Sequence, residues 1–282
     1  MRVLALLAAV VALAACSSSP RGTAEPKDDF PEGSTSHSIN VGGLYRTYRV
    51  HKPAGLPASA PLVVMLHGGF GTAEQAERAY GWDDLAESAK FVVAYPDGIA
   101  RAWNVHGCCG RPSHDGIDDV AFITAVVEQV GRGIGIDQSR IFATGISNGG
   151  MMSYALACNS DMFAAIGPDS ATQLDPCPSP HPTSVMHIHG TADRRIRYAG
   201  GEGEGVAHIN GPPVPDVNAF WRRIDQCGEP VVTTDGTLST SAAACPDNRS
   251  VVLVTVDGGR HEWPSFATQR LWEFFAMHPR AA

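Results

Sequence analysis

The chain has 282 residues, and the 44% that are hydrophobic are enough to build one large core. Acidic residues outnumber basic ones by 29 to 21, which gives a formal net charge of -8 at pH 7. This acidic balance, without any long basic run, excludes nucleic acid as an expected partner.

The N-terminal stretch has the pattern of an export signal. A basic start precedes an apolar run over 3–15 that is too short to span a bilayer comfortably, as in a signal peptide. The run ends in Leu-Ala-Ala-Cys at 13–16, which resembles a bacterial lipobox, where the cysteine becomes the lipid-bearing first residue. We therefore expect a lipoprotein signal peptide at 1–15, a lipid anchor on Cys16 and a flexible tether at 16–37. The alternative is an ordinary signal peptide cleaved nearby, and both predict export.

The remaining residues, 38–282, alternate predicted strands with predicted helices. A segment of alternating polarity at 44–50, rich in β-forming residues, predicts an early antiparallel strand. A continuous apolar run at 62–66 is typical of a strand buried on both faces of a parallel sheet. Further strands are predicted at 91–95, 139–144, 163–166, 184–188 and 251–256. Helical patterns lie at 72–90, 118–130, 151–157, 217–225 and 266–277. The alternation predicts a single α/β domain with a doubly wound, mostly parallel sheet and helices on both faces.

Six cysteines follow Cys16, and an exported protein meets an oxidising compartment. Sequence proximity favours two disulfides among them, Cys158–Cys177 and Cys227–Cys245. The segment between the second pair is rich in Thr and Ser, and it predicts a hairpin-like insertion.

Cys108 and Cys109 are left as neighbours in an irregular loop predicted at 99–116, where a strained vicinal disulfide is the pairing open to them. A metal site is the alternative, but no Cys-x-x-Cys pair or cysteine–histidine cluster supports it. His187 and His189 alternate on a predicted strand and could mimic a metal pair, yet no carboxylate or cysteine completes the site. We interpret both histidines as core residues or supports of the site, and we expect no metal.

The most informative motif is Gly-x-Ser-x-Gly at 145–149, between a predicted strand and a predicted helix. A serine in this setting is typical of the nucleophile elbow of an α/β-hydrolase. The sharp turn exposes the Ser147 hydroxyl, the glycines let strand and helix approach, and the helix N-terminus favours developing negative charge. A glycine-rich turn with an incidental serine is the alternative. We predict the α/β-hydrolase fold, with Ser147 as nucleophile.

A serine nucleophile needs a base and a carboxylate, which follow it in the order acid, then histidine. Asp193, directly after a predicted buried strand, is the favoured acid; Asp169 and Asp175 lie closer to the serine but in a segment expected to be held by a disulfide. His261 follows the last predicted strand in a glycine-rich loop and is the favoured base. His278 is the other late histidine, and we interpret it as part of a solvated tail.

Two further roles follow from this arrangement. The oxyanion hole requires the backbone N–H of Asn148 and one donor from the loop after the 62–66 strand, with Gly69 favoured and Phe70 as the alternative. Trp103 and Trp263 are candidates to line the substrate pocket, and ordinary packing is the alternative for both.

Five segments in this order resemble the polyhydroxybutyrate depolymerase and feruloyl esterase family: 66–69, 118–120, 145–151, 189–193 and 259–264. The resemblance implies a serine esterase that needs no cofactor, with Ser147, Asp193 and His261 as its triad. The lipobox makes the chain similar to the actinobacterial lipoprotein esterases of this family.

We therefore expect an exported, membrane-anchored, monomeric enzyme that hydrolyses carboxylic esters through an acyl-enzyme on Ser147. The acyl group expected is feruloyl or cinnamoyl, acetyl or 3-hydroxybutyrate, on a small ester or on a polyester or polysaccharide. A polyester depolymerase is the nearest alternative, but the chain shows no additional polymer-binding module. A serine peptidase, with a charged group from Arg194, Arg195 or Arg197 in the 194–215 loop, is a second alternative, and a non-catalytic surface binding protein a third.

Overall fold

The computed structural model describes residues 29–281, and the predicted signal peptide and Cys16 lie outside that range. Its strands are β1 (Gly33–Val41), β2 (Leu44–Lys52), β3 (Ala60–Leu66), β4 (Val92–Pro96), β5 (Ile136–Ile146), β6 (Ala165–Asp169), β7 (Ser184–Gly190), β8 (Gly201–Glu202), β9 (Asn210–Gly211), β10 (Val231–Asp235), β11 (Leu238–Ala244) and β12 (Ser250–Val256). Its α-helices are α1 (Ala73–Ala79), α2 (Trp82–Ala89), α3 (Gly110–His114), α4 (Asp119–Gly133), α5 (Asn148–Asn159), α6 (Val214–Ile224) and α7 (Ala267–Met277).

Ten of these strands form one sheet, in the order β1-β2-β4-β3-β5-β6-β7-β12-β11-β10. The central strands, from β4 to β12 in this order, are parallel, and the antiparallel pairs lie at the two edges. β8 and β9 form a separate two-stranded ribbon in the predicted 194–215 loop. The predicted mostly parallel sheet is confirmed.

Strand β3 shows why a central strand of this sheet can be apolar at every position. Because successive side chains of a strand point to opposite faces, a strand covered on both sides needs an apolar residue at every position. Leu62 and Val64 pack into a core with residues of α4, α5 and α6, whereas Val63 and Met65 pack into a second core with α1, α2 and α7. All seven β3 residues are buried between these two helical layers.

The first strand begins earlier than the sequence predicts. β1 starts at Gly33, inside the range assigned to the tether at 16–37, and pairs with β2 from Gly33 opposite Lys52 to Val41 opposite Leu44. The strand is half exposed at the edge of the sheet and its sequence is mostly polar, so it lacks the apolar pattern that marks the central strands. The tether boundary is therefore corrected from 37 to no later than residue 32.

Each predicted cysteine pair is joined in the structure: Cys108–Cys109, Cys158–Cys177 and Cys227–Cys245. The last pair flanks the hairpin of β10 and β11, where a hairpin-like insertion is predicted. Over residues 29–281, no group of three or more His, Cys, Asp or Glu side chains is arranged to hold a metal ion. No helix in the same range has the length and apolar character needed to cross a bilayer.

The parallel strands fix where functional residues meet. The segments that follow β3, β5, β7 and β12 all emerge at the carboxyl edge of the sheet, where active sites of open α/β sheets are built. These segments carry Gly69, Ser147, Asp193 and His261.

Candidate active site

Ser147 occupies a sharp turn between β5 and α5. Its backbone has φ 57° and ψ -122°, a conformation that costs on the order of 1–3 kcal/mol in a residue other than glycine. A Cβ on Gly145 would lie 2.6 Å from the Leu66 carbonyl oxygen, and a Cβ on Gly149 only 2.2 Å from it, so both positions need glycine. The Ser147 amide donates to the Asp169 carbonyl at 2.9 Å, which ties the turn to β6. This is the geometry of a nucleophile elbow.

Asp193 and His261 are hydrogen-bonded to each other. His261 Nδ1 lies 2.8 Å from Asp193 Oδ2, and Asp193 Oδ1 accepts from the backbone N–H groups of Arg195 at 2.8 Å and Ile196 at 3.0 Å. Burial alone would raise the pKa of Asp193, but hydrogen bonds from His189 and His261 outweigh it and hold that pKa well below its ordinary value. The carboxylate is therefore ionised and fixed in orientation.

Ser147 and His261 line the same surface cavity of about 280 Å³. Because His261 Nδ1 faces Asp193, Nε2 is the nitrogen left to act as a base. No hydrogen bond among the described residues joins Ser147 Oγ to that nitrogen. Such bonds are often long in free enzymes and shorten when substrate binds.

The two backbone donors expected for an oxyanion hole are available beside Ser147. The Phe70 N–H donates to the Arg101 carbonyl at 2.8 Å, so it is engaged elsewhere. The N–H groups of Gly69 and Asn148 have no acceptor among residues 29–281, and both residues line a cavity together with Ser147. The geometry therefore favours Gly69 over Phe70 as the second donor.

His67 orients the loop that carries Gly69. The ring is buried, which lowers its pKa and keeps it neutral. Its Nε2 accepts from the Gly98 N–H at 2.9 Å, so its Nδ1 carries the proton and donates to the Gly68 carbonyl at 2.8 Å. That carbonyl and the Gly69 N–H belong to one planar peptide unit. Holding the first therefore fixes the direction of the second.

The structure corrects the predicted substrate contact of Trp103, which lies in the core, whereas Trp263 is partly exposed. Trp103 is fully buried. Its backbone N–H donates to Asn148 Oδ1 at 2.7 Å, and its indole N–H donates to the His67 carbonyl at 2.8 Å. Trp263 packs on Tyr80 with 5.0 Å between ring centroids and is not on the wall of the cavities that contain Ser147. Trp103 therefore braces the elbow and the oxyanion loop, and Trp263 supports the loop of His261.

The other candidate acids have different environments. Asp169 is fully buried at the end of β6, and burial raises the pKa of its carboxyl group well above the ordinary value. Asp175 accepts from the Cys177 N–H at 2.9 Å and from the Asn159 side chain at 3.3 Å, which is a local structural role. Neither carboxyl group is hydrogen-bonded to His261, and His278 is bonded instead to the Phe274 carbonyl at 2.6 Å.

Two further cavities lie beside the one that Ser147 and His261 share, one lined by the serine and the other by the histidine. The inner cavity, of about 230 Å³, is walled on its apolar side by Ala102, Met151, Ile196 and Ile209, with Ser147 at its edge. Cys109 of the vicinal pair also lines it. The inner cavity is thus a small, mainly apolar pocket.

The outer groove is larger and more polar, at about 920 Å³. It is bounded by His261 and by Arg194, Arg195 and Arg260. Arg194 is paired with Glu204 at 2.5 Å. The stretch 204–206 lines both the outer groove and the inner cavity, so one loop separates the two spaces.

His67 and His189 are both buried beside the site, and neither is among the catalytic residues expected from the sequence. His189 Nε2 lies 3.4 Å from Asp193 Oδ2. Each histidine lies at the carboxyl end of a buried strand, His67 directly after β3 and His189 one residue before the end of β7, and each is followed by glycine. That shared pattern is the signal by which both could have been found.

Comparisons with known proteins agree with this geometry. Residues 46–195 match the family described as Esterase PHB depolymerase. Feruloyl esterase C of Emericella nidulans is 30% identical over 248 residues, covering 82% of this chain and 83% of that protein. Feruloyl esterase B of Piromyces equi is 30% identical over 220 residues, covering 72% of this chain and 40% of that protein.

Among solved structures, the acetyl xylan esterase from Aspergillus awamori matches with a TM-score of 0.65 at 15% identity, covering 86% of this chain and 99% of that one. At this identity the match supports the fold alone, and the matched fold agrees with the α/β-hydrolase topology described above. The family match, the relatives and the elbow at Ser147 together identify the family and the class of enzyme. The chain belongs to the esterase PHB depolymerase family, and it is a carboxylic ester hydrolase with the α/β-hydrolase fold.

Proposed function

We propose that the protein hydrolyses esters through a covalent acyl-enzyme on Ser147. His261 takes the proton of the serine hydroxyl as it attacks the ester carbonyl, then gives the proton to the leaving alcohol. Asp193 holds the imidazole and stabilises its charged form. The N–H groups of Gly69 and Asn148 stabilise the oxyanion, and water then releases the acid by the same steps in reverse.

One observation carries this proposal. The Asp193–His261 hydrogen bond of 2.8 Å stands beside a strained Ser147, and the serine and histidine share one cavity. A surface binding protein on this scaffold would not need an ionised acid, a fixed imidazole and two free backbone donors around one hydroxyl.

The cavities support a division of the substrate into two parts. We assign the acyl group to the inner cavity, because its volume of about 230 Å³ is below the roughly 300–1,000 Å³ of sites that enclose drug-sized ligands. A feruloyl or cinnamoyl group, an acetyl group or a 3-hydroxybutyrate unit are the acyl groups we propose for it. The alcohol lies in the outer groove, which is open and polar enough for a saccharide or a polymer chain.

The place of action that we propose is outside the cytoplasm. The signal peptide and lipobox lie outside the described residues, and the disulfides of the folded domain suit an oxidising compartment. If Cys16 is the lipid anchor, Cys16→Ala should move the protein out of the membrane fraction or leave it unprocessed. Unchanged membrane fractionation and lipid labelling would count against the anchor.

The function is tested by a substrate panel with Ser147→Ala as the matched inactive variant. The panel contains p-nitrophenyl acetate and butyrate, methyl ferulate, a 3-hydroxybutyrate oligomer and an acyl amide. We expect ester hydrolysis and fluorophosphonate labelling by the natural protein, and neither by Ser147→Ala at an unchanged melting temperature. Activity of Ser147→Ala near that of the natural protein would overturn the proposal, and preference for the amide would favour a peptidase.

A further inference from the structure

A row of buried polar side chains leads from α5 to the triad acid. Tyr154 Oη lies 2.9 Å from His187 Nδ1, and His187 Nε2 lies 3.0 Å from His189 Nδ1. His189 Nε2 lies 2.8 Å from the Ile196 carbonyl and 3.4 Å from Asp193 Oδ2. The three side chains belong to residues that are at most 1% exposed, so water does not compete for these bonds.

The positions of the protons in this row follow from what each atom can do. The Ile196 carbonyl can only accept, so His189 Nε2 carries a proton. In a neutral ring His189 Nδ1 is then an acceptor, and His187 Nε2 must donate to it. His187 Nδ1 is left as an acceptor, and the Tyr154 hydroxyl donates to it.

The charge states agree with this direction. Burial lowers the pKa of His187 well below its ordinary value, so that ring is neutral. Burial raises the pKa of Tyr154, so its hydroxyl keeps its proton. In the reverse direction, the Tyr154 proton would need a different acceptor, and the described residues offer none. Every donor in the row therefore points toward Asp193.

We propose that Tyr154, His187 and His189 form a one-way hydrogen-bond chain, and that His189 is the positioning residue that holds Asp193 against His261. The proposal rests on the proposed function, because it assigns a role within that triad. No proton moves along the chain. The chain fixes the tautomer of His189, so that its Nε2–H always faces the turn of the acid.

His189 acts on that turn at two points. Its Nε2–H binds the Ile196 carbonyl, and the Ile196 N–H in turn binds Asp193 Oδ1 at 3.0 Å. The same Nε2–H also faces Oδ2, the oxygen that receives His261. Without His189, the Ile196 carbonyl and Asp193 Oδ2 would each lose a contact, and the carboxylate would hold the imidazole less firmly.

The first test is independent of activity. In protein labelled with ¹⁵N-histidine, two-bond ¹H–¹⁵N spectra report which ring nitrogen carries the proton, and His187→Gln and His189→Gln assign the signals. We expect both rings to be neutral Nε2–H tautomers at neutral pH, in the natural protein and in Ser147→Ala. A charged ring or an Nδ1–H tautomer at either position would overturn the chain, whatever the enzyme hydrolyses.

The second test separates positioning from stability. His189→Leu removes the donor and should lower kcat on the order of 10- to 100-fold, the effect of one hydrogen bond to a charged group, with little change in KM. His189→Gln places an amide N–H near the Ile196 carbonyl and should restore most of kcat. His181→Leu, at an exposed position, is the control and should leave kcat unchanged.

Tyr154→Phe supplies a second readout if His189→Leu does not fold, because it removes one hydroxyl and keeps the packed ring. We expect it to lower kcat by about 3- to 10-fold, the effect of one neutral hydrogen bond, again at constant KM. A lower melting temperature with unchanged kcat in Tyr154→Phe, or no rescue by His189→Gln, would show that the row is merely structural. If the natural protein hydrolyses no ester, the proposed function fails, and the tautomer experiment still decides the chain.

Discussion

The exchange Asp193→Asn tests the proposed triad through the geometry of its acid. Oδ1 accepts from two backbone N–H groups, at 2.8 and 3.0 Å, while Oδ2 faces His261 Nδ1 at 2.8 Å. If the new amide nitrogen took the Oδ1 position, its N–H groups would face the N–H groups of Arg195 and Ile196, and donors would oppose donors. The amide nitrogen is therefore forced into the Oδ2 position, where it donates to His261.

This reversal removes the base. When His261 Nδ1 becomes the acceptor, the ring proton moves to Nε2, and Nε2 no longer takes the proton of Ser147. The charged form of the imidazole also loses its ionised partner. The corresponding exchange in a serine protease lowers kcat by about 10⁴. We expect a fall of about 10³–10⁴ in kcat for Asp193→Asn, with little change in KM.

The assay is steady-state hydrolysis of p-nitrophenyl butyrate, with fluorophosphonate labelling as a substrate-independent measure of serine reactivity. Asp169→Asn is the matched control, because it makes the same exchange at a buried carboxyl group that is not hydrogen-bonded to His261. We expect the control to keep kcat within a few-fold. If Asp169→Asn loses as much activity as Asp193→Asn, or if folded Asp193→Asn keeps most of its activity, the assignment of the acid is refuted.

Three further outcomes are expected. Replacing Cys158 and Cys177 by serine should lower the free energy of unfolding by about 3 kcal/mol in chemical denaturation, since their disulfide closes a loop with a sequence separation of 19; unchanged stability would contradict this. Gly149→Ala should lower stability by about 1–3 kcal/mol and abolish fluorophosphonate labelling, because its Cβ would lie 2.2 Å from the Leu66 carbonyl oxygen; normal labelling would show that the elbow tolerates it. The pKa of Asp193 is lower in the folded protein than in the unfolded chain, where it is about 3.9. The ionised carboxylate therefore stabilises the fold at pH values above about 3.9, and this contribution is lost as the pH falls through the pKa of the folded protein. The stability difference between the natural protein and Asp193→Asn should therefore narrow in acid denaturation series.

The sequence predicts best where burial imposes a simple pattern. The apolar runs of β3, β4 and β12 predict the parallel sheet, because strands covered on both faces have no polar side exposed to solvent. The elbow at Ser147 can be recognised in the sequence because only glycine fits at two positions beside the serine. The order of the motifs then points to Asp193 and His261, which the structure brings within hydrogen-bond distance.

What the sequence does not predict depends on contacts between distant segments. β1 is polar and lies at an edge, so no apolar pattern marks it. Trp103 has the character of a binding residue, but three of its hydrogen bonds run to the elbow and the oxyanion loop, and these hold it in the core. The roles of His67 and His189 depend on the carbonyl groups of Gly68 and Ile196, whose directions no side-chain pattern records.

The shared wall at 204–206 has a consequence for how this scaffold changes. The reacting groups are carried by the ends of buried strands, whereas this wall belongs to an exposed loop held by the two-residue strands β8 and β9. An insertion, deletion or exchange in that loop alters both substrate spaces at once without disturbing the strands beneath. Selectivity can therefore drift or be engineered almost independently of the reaction chemistry, and libraries aimed at a new ester should concentrate on this loop.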